Sequence, residues 1–143
     1  MQAGFRWLST ALFVLLSVFL IAFGVLYASV PDYLPFHRAA VAAGAQEPAR
    51  ALYLALMKLI GGASGALGLL GGYVTLFPMR HASTGAALMV SMAYACAFLT
   101  AAYVAEILAK ATGAPTSWHI MGVLLAITAA ALGLHMAGHR PKT

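Results

Sequence analysis

Three ionisable side chains, Lys58, Glu106 and His119, lie within or at the start of long apolar stretches, and they define the first chemistry to consider. An ionisable group in such a stretch is costly unless it faces a neighbouring helix, an opposite charge or an aqueous cavity. Lys58 and Glu106 carry opposite charges, so pairing them would offset part of the desolvation of each. On a helix, Lys58 shares a stripe with Gly61, Gly62, Gly65, Gly68 and Gly72. Glu106 shares a face with Met92, Ala95, Ala102 and Tyr103, and His119 shares one with Gly122, Ala126, Ala130 and Gly133. Small-residue faces are where membrane helices meet, so the three polar groups are expected to converge near one mouth of a bundle. Such a cluster could hold a solute, a quinone or a lipid headgroup, with Glu106 or His119 carrying a proton. The structural alternative is a Lys58–Glu106 pair, or a Lys58 that snorkels to the headgroups.

His81, His135 and His139 allow a second chemistry. His81 and His135 are expected at the same side of the bundle, where a bis-His haem b would need them to face one another. His135 and His139 are four residues apart, which places two imidazoles on one helix face. No carboxylate or thiolate is near enough in sequence to complete a metal shell. The main expectation is therefore no cofactor, with these histidines beside anionic headgroups together with Arg80, Arg140 and Lys142.

Other chemistries find little support. Cys96 is the single cysteine, which excludes an internal disulfide and a CxxC centre. There are 3 acidic residues in the chain, too few for most hydrolytic or phosphoryl chemistry. No GxSxG, HExxH or phosphate-binding loop occurs, and no catalytic residue is assigned. Scattered methionines make a poor copper path.

The elements that must position these groups follow from composition. The 143 residues are 63% hydrophobic and 8% charged, with a mean hydropathy of +0.92. A soluble domain carries about 25% charged residues, so lipid is the expected solvent for most of this chain. The expectation is one all-α integral membrane domain, a four-transmembrane-helix bundle with spans near 7–28, 49–77, 85–110 and 118–138. The first span is long enough to cross a bilayer and is longer than a signal-peptide core. It is bulky, so much of it is expected to face lipid or a partner. The longest loop, 30–48, is broken by Pro31 and Pro35, and 36–43 could form a short interfacial helix with Phe36 and Val41 towards lipid. Trp7, Tyr27, Tyr33, Tyr53 and Trp118 fit interfacial belts.

Arg6, Arg80, Arg140 and Lys142 fall on one side of such a bundle, and Arg38, Arg50 and Lys110 on the other. The compact basic connection and basic tail favour both termini in the cytoplasm. The net charge of +5 is thus a topology signal, with basic residues at segment ends, and nucleic acid is not an expected partner.

The second span is the richest in glycine. Gly61, Gly65, Gly68 and Gly72 form a glycine-zipper-like stripe that is expected to be the packing spine of the bundle. GALGLLGG (65–72) and AALGLHMAG (130–138) suggest either a degenerate two-hairpin repeat or shared low complexity. LPFHR, followed by LYLALMKLIGG and FPMR, resembles small four-helix bacterial membrane proteins of unknown function, and the four-span size is similar to the broad DoxX-like group. The resemblance covers the second and third spans, implies a bacterial inner-membrane setting and carries no site residue. The leading expectation is a small non-enzymatic accessory subunit that packs against other membrane chains or itself. The alternatives are an oligomeric transporter or channel using Lys58 and Glu106, and a haem- or quinone-linked redox component using His81 and His135.

Overall fold

The computed structural model describes residues 2–38, 41, 43–81, 83–113 and 118–139. The long helices are α1 (Gln2–Ala28), α3 (Gln46–Leu76), α4 (Thr84–Thr112) and α5 (His119–Gly138). A short helix, α2 (Pro35–Arg38), and 3-10 turns at Ala43–Ala45 and Pro78–His81 complete the described elements. The 4 long helices are each long and apolar enough to cross a membrane. Their ends have local causes. The Ser83 hydroxyl accepts from the Ala86 N–H at 3.2 Å and caps α4. Gly113, at φ 65°, closes α4 in the left-handed conformation. Pro78, without an N–H, follows the end of α3.

Helix α2, Pro35–Arg38, covers the described start of the interfacial helix expected over 36–43. Residues 39, 40 and 42, the Phe36 side chain, and the tail residues Arg140 and Lys142 lie outside the described residues.

Helix α1, not the glycine-rich α3, has the central position. It packs along α3 on one side and α5 on the other, and α5 packs on α4, while α3 touches α4 only lightly. The sequence of α1 contains the reason. Ser9, Ser17, Gly24 and Ala28 interrupt its bulky residues at near-helical spacing, so neighbours can approach on two sides. Between them Phe13, Leu16 and Leu20 are buried with Ala87, Val90, Tyr94 and Phe98 of α4 and Leu124 and Ala131 of α5.

The α1–α3 contact is antiparallel and close to backbone level. A Cβ on Gly24 would lie 2.6 Å from the Gly61 oxygen and 2.6 Å from the Gly65 nitrogen. One on Gly61 would lie 2.5 Å from the Ala28 nitrogen, and one on Gly68 2.7 Å from the Ser17 oxygen. Gly72 is looser, with Ser17 Cβ at 3.6 Å from the same construction. At Gly65 the added atom meets nothing within 4 Å, so this position has room for a side chain although its backbone is approached by Gly24.

Three buried hydroxyls are reconciled with the apolar interior by bonding back to their own helix. Ser17 donates to Phe13 O, Thr75 to Gly71 O and Thr128 to Leu124 O, at 2.7–2.8 Å. Ser9 instead bridges helices, donating to Ala131 O of α5 at 2.8 Å.

Candidate functional site

The end of the bundle bearing residues 30–38 is here the loop end, and the end bearing Gln2 and His81 the terminal end. Phe98 and Leu124 are the last buried residues of α4 and α5 towards the loop end. Beyond them an open groove of about 460 Å³ is lined by Leu99, Ala102, Tyr103, Glu106, Trp118, Gly122 and Leu125. These positions recur at helical spacing on each helix, so one face of α4 and one of α5 form the two walls. Gly122 shapes the floor. A Cβ there would lie 3.3 Å from the Trp118 ring, so its absence leaves the indole space. The indole also stacks on the His119 imidazole at 4.5 Å.

Glu106 is the ionisable group in this lining. Its Oε1 lies 3.0 Å from Lys110 Nζ, one turn further along α4. Lys58 is exposed on α3 and forms no ion pair among the described residues. The expected Lys58–Glu106 pair is therefore replaced by a local i, i+4 pair. The physical reason is the light contact between α3 and α4, which leaves Lys58 closer to solvent or lipid than to Glu106's helix.

A second polar cluster joins the 31–38 segment to the start of α3, and its individual bonds were not legible in sequence. The Asp32 carboxylate accepts from the Tyr33 N–H at 2.7 Å, from Arg38 Nη2 at 2.6 Å and from Arg50 Nε at 3.3 Å. Arg50 Nη2 also donates to Pro31 O at 3.3 Å. The Tyr53 hydroxyl accepts from the Leu34 N–H at 3.1 Å and meets His37 Nδ1 at 2.9 Å. The Tyr33 and Tyr53 rings lie 4.5 Å apart. Thus Arg50 and Tyr53, one turn apart on α3, pin the 31–38 segment to that helix. The Tyr33 N–H, and then Arg38 and Arg50, hold the Asp32 carboxyl below its ordinary value. Burial lowers His37. This arrangement orients a loop.

At the terminal end, His135 is buried, and its Nε2 has no hydrogen-bond partner among the described residues. His139 Nδ1 lies 2.8 Å from His135 O, and the two rings are 4.3 Å apart. His81 is exposed on the 3-10 turn after α3, a different environment from that of His135. Among the described residues no group of three or more His, Cys, Asp or Glu is placed to hold a metal ion.

The residue that joins the helices most directly is Tyr94, to which the sequence drew no attention. Its hydroxyl is 2.7 Å from Ser17 Oγ of α1, and it occupies the space beside Gly71 of α3 where a side chain would stand. No family model, curated protein or solved structure matches this chain.

Proposed function

We propose that this chain is a small non-enzymatic subunit of the bacterial inner membrane, multi-pass with both termini cytoplasmic, that packs against other membrane chains. The observation that carries this reading is the outward face of α3. This 31-residue helix has one extensive helix partner, α1, and leaves Leu52, Leu56, Leu59, Leu69, Leu70, Tyr73 and Phe77 exposed. Among them Gly62 and Ala66 are exposed as well, and a Cβ on Gly62 meets nothing within 4 Å. A face that alternates large apolar residues with small ones suits close docking of another membrane helix. The polar groups support the same reading, since Asp32, Arg38, Arg50 and Tyr53 are engaged in holding the chain's own loop.

Native mass spectrometry after gentle extraction from the source membrane tests the reading. Larger chains are expected to copurify at fixed stoichiometry, and enlarging Gly62 to Leu should release them. A chain recovered alone, or only with copies of itself, overturns the subunit role. For topology, a tag after Thr143 should resist external protease in intact cells, and its cleavage would reverse the orientation.

A further inference from the structure

We propose that the terminal end of the bundle binds an anionic phospholipid, with the headgroup phosphate against Arg6 and the acyl chains along the exposed side of α1 beside Trp7. The charges of the molecule are divided between its two ends. All 3 acidic residues, Asp32, Glu47 and Glu106, belong to the loop end. There Asp32 engages Arg38 and Arg50, and Glu106 engages Lys110, with Lys58 left over. The terminal end carries Arg6 on α1, Arg80 and His81 on the turn after α3, and His139 after α5. Arg6 and Arg80 are exposed, and neither forms an ion pair among the described residues. The acidic side chains of this chain are at the other end, so an anion that neutralises Arg6 comes from outside it.

Two features select a phospholipid among anions. The first is that each arginine borders exposed apolar surface. Trp7, 75% exposed, follows Arg6, and Phe77, 57% exposed, lies three residues before Arg80. A free phosphate or a nucleic acid gains nothing from such surface. A phospholipid presents phosphate and hydrocarbon together, and an indole suits the boundary between them. The second feature is that Arg6 is held in place. A Cβ on Gly138 would lie 2.7 Å from Arg6 Cγ and 3.1 Å from its nitrogen, so the arginine stem lies along the α5 backbone next to His139. A stem packed in this way has less freedom to lose when its guanidinium takes a phosphate, and the planar fork matches phosphate geometry. The inference rests on the membrane setting proposed above. It does not use the docking face of α3, so the subunit role can fail without it.

The test reconstitutes the purified full-length chain in phosphatidylcholine vesicles containing a fixed fraction of either brominated phosphatidylglycerol or brominated phosphatidylcholine. Brominated acyl chains quench an indole that they touch. Trp118→Phe leaves Trp7 as the reporter of the terminal end, and Trp7→Phe leaves Trp118 as the reporter of the loop end. Trp7 should be quenched at least threefold more effectively by the anionic lipid than by the zwitterionic one, and Trp118 about equally by both. Arg6→Gln should remove most of the preference at Trp7, and Arg6→Lys should keep part of it. Independently of any substitution at Arg6, salt at about 1 M, where the screening length is about 3 Å, should weaken the preference. Inorganic phosphate should do no more than sodium chloride of equal ionic strength. Equal quenching of Trp7 by the two lipids, a preference unchanged in Arg6→Gln or in high salt, or specific competition by inorganic phosphate would each overturn the lipid site and leave the membrane setting standing. No quenching of Trp7 by either lipid would overturn both.

Discussion

From Ser9 to Leu20, α1 lies against partners from the other long helices, and Phe13 and Leu16 are almost wholly enclosed. Towards the loop end the ring side chains of α1 are less enclosed. Phe19, Phe23 and Tyr27 form a ladder of rings along α1, with centroids 6.1 and 4.1 Å apart, and all three are only partly buried. In the terminal half, then, interdigitated side chains and the Ser17–Tyr94 hydrogen bond tie helices together. In the loop half, α4 and α5 are separated by an open groove, and the 31–38 segment is tied to α3 by polar contacts. The difference shows where this small bundle keeps free volume. Close-packed layers have little of it, whereas in the loop half the backbone-level contact of α1 and α3 at Gly24 and Gly61 holds that pair while α4 and α5 part.

Substitutions should sharpen the comparison, beginning with the largest effect. Gly24→Leu drives a side chain into the α3 backbone and should cost about 3 kcal/mol or more in detergent unfolding. Gly62→Leu, at an open position, should stay within about 1 kcal/mol. Equal effects would mean that backbone approach between α1 and α3 does not hold this fold. Next, Phe13→Ala should leave a cavity costing about 3 kcal/mol, and Phe23→Ala clearly less. A larger loss at Phe23 would invert the comparison.

Tyr94→Phe and Tyr53→Phe each remove a hydroxyl, with an expected cost of about 1 kcal/mol. They should differ in reach. The first should lower the global unfolding midpoint, while the second should speed amide exchange at Leu34 and leave the midpoint nearly unchanged. The smallest effect is expected from pH. His37 and Asp32 are both held below their ordinary values near 6.5 and 3.8. For each, the stabilisation is full above the ordinary value and is lost as pH falls towards and through the lowered folded value. Exchange at Leu34 should therefore rise first below about pH 6.5 and again below about pH 3.8, while amides near Phe13 stay protected. Faster exchange on raising the pH, after correction for intrinsic rates, would contradict this sign.

Much of the architecture was legible because it depends on composition and on local breaks. Long uncharged runs bounded by Pro31, Pro78 and Gly113 leave few options besides long helices. The glycines of α3 marked that helix as able to pack closely. They did not mark which of them would be used, because Gly65 and Gly68 differ in what a side chain would meet and that depends on the path of α1. Gly24 carries no such mark, since a single glycine in a bulky helix has no pattern of its own. Only beside Gly61 and Gly65 does it become half of a contact. Glu106 could be singled out as an anomaly in an apolar run, but its partner could not. The sequence permits Lys58 or Lys110, and the separation of α3 from α4 favours the nearer one.

The sequence alone determined that the chain forms long apolar helices, because hydropathy and helix breaks act over a few turns. It also determined that little of the familiar catalytic chemistry is available, because the necessary side chains are too few. Tertiary structure decided that α1 is central, that Tyr94 takes the space beside Gly71, that Asp32 gathers Arg38 and Arg50, and that Glu106 pairs with Lys110 and not with Lys58. Each of these depends on which faces of distant segments meet. A helix's own sequence limits the faces it can offer, but the choice among them is made by the neighbours that fit.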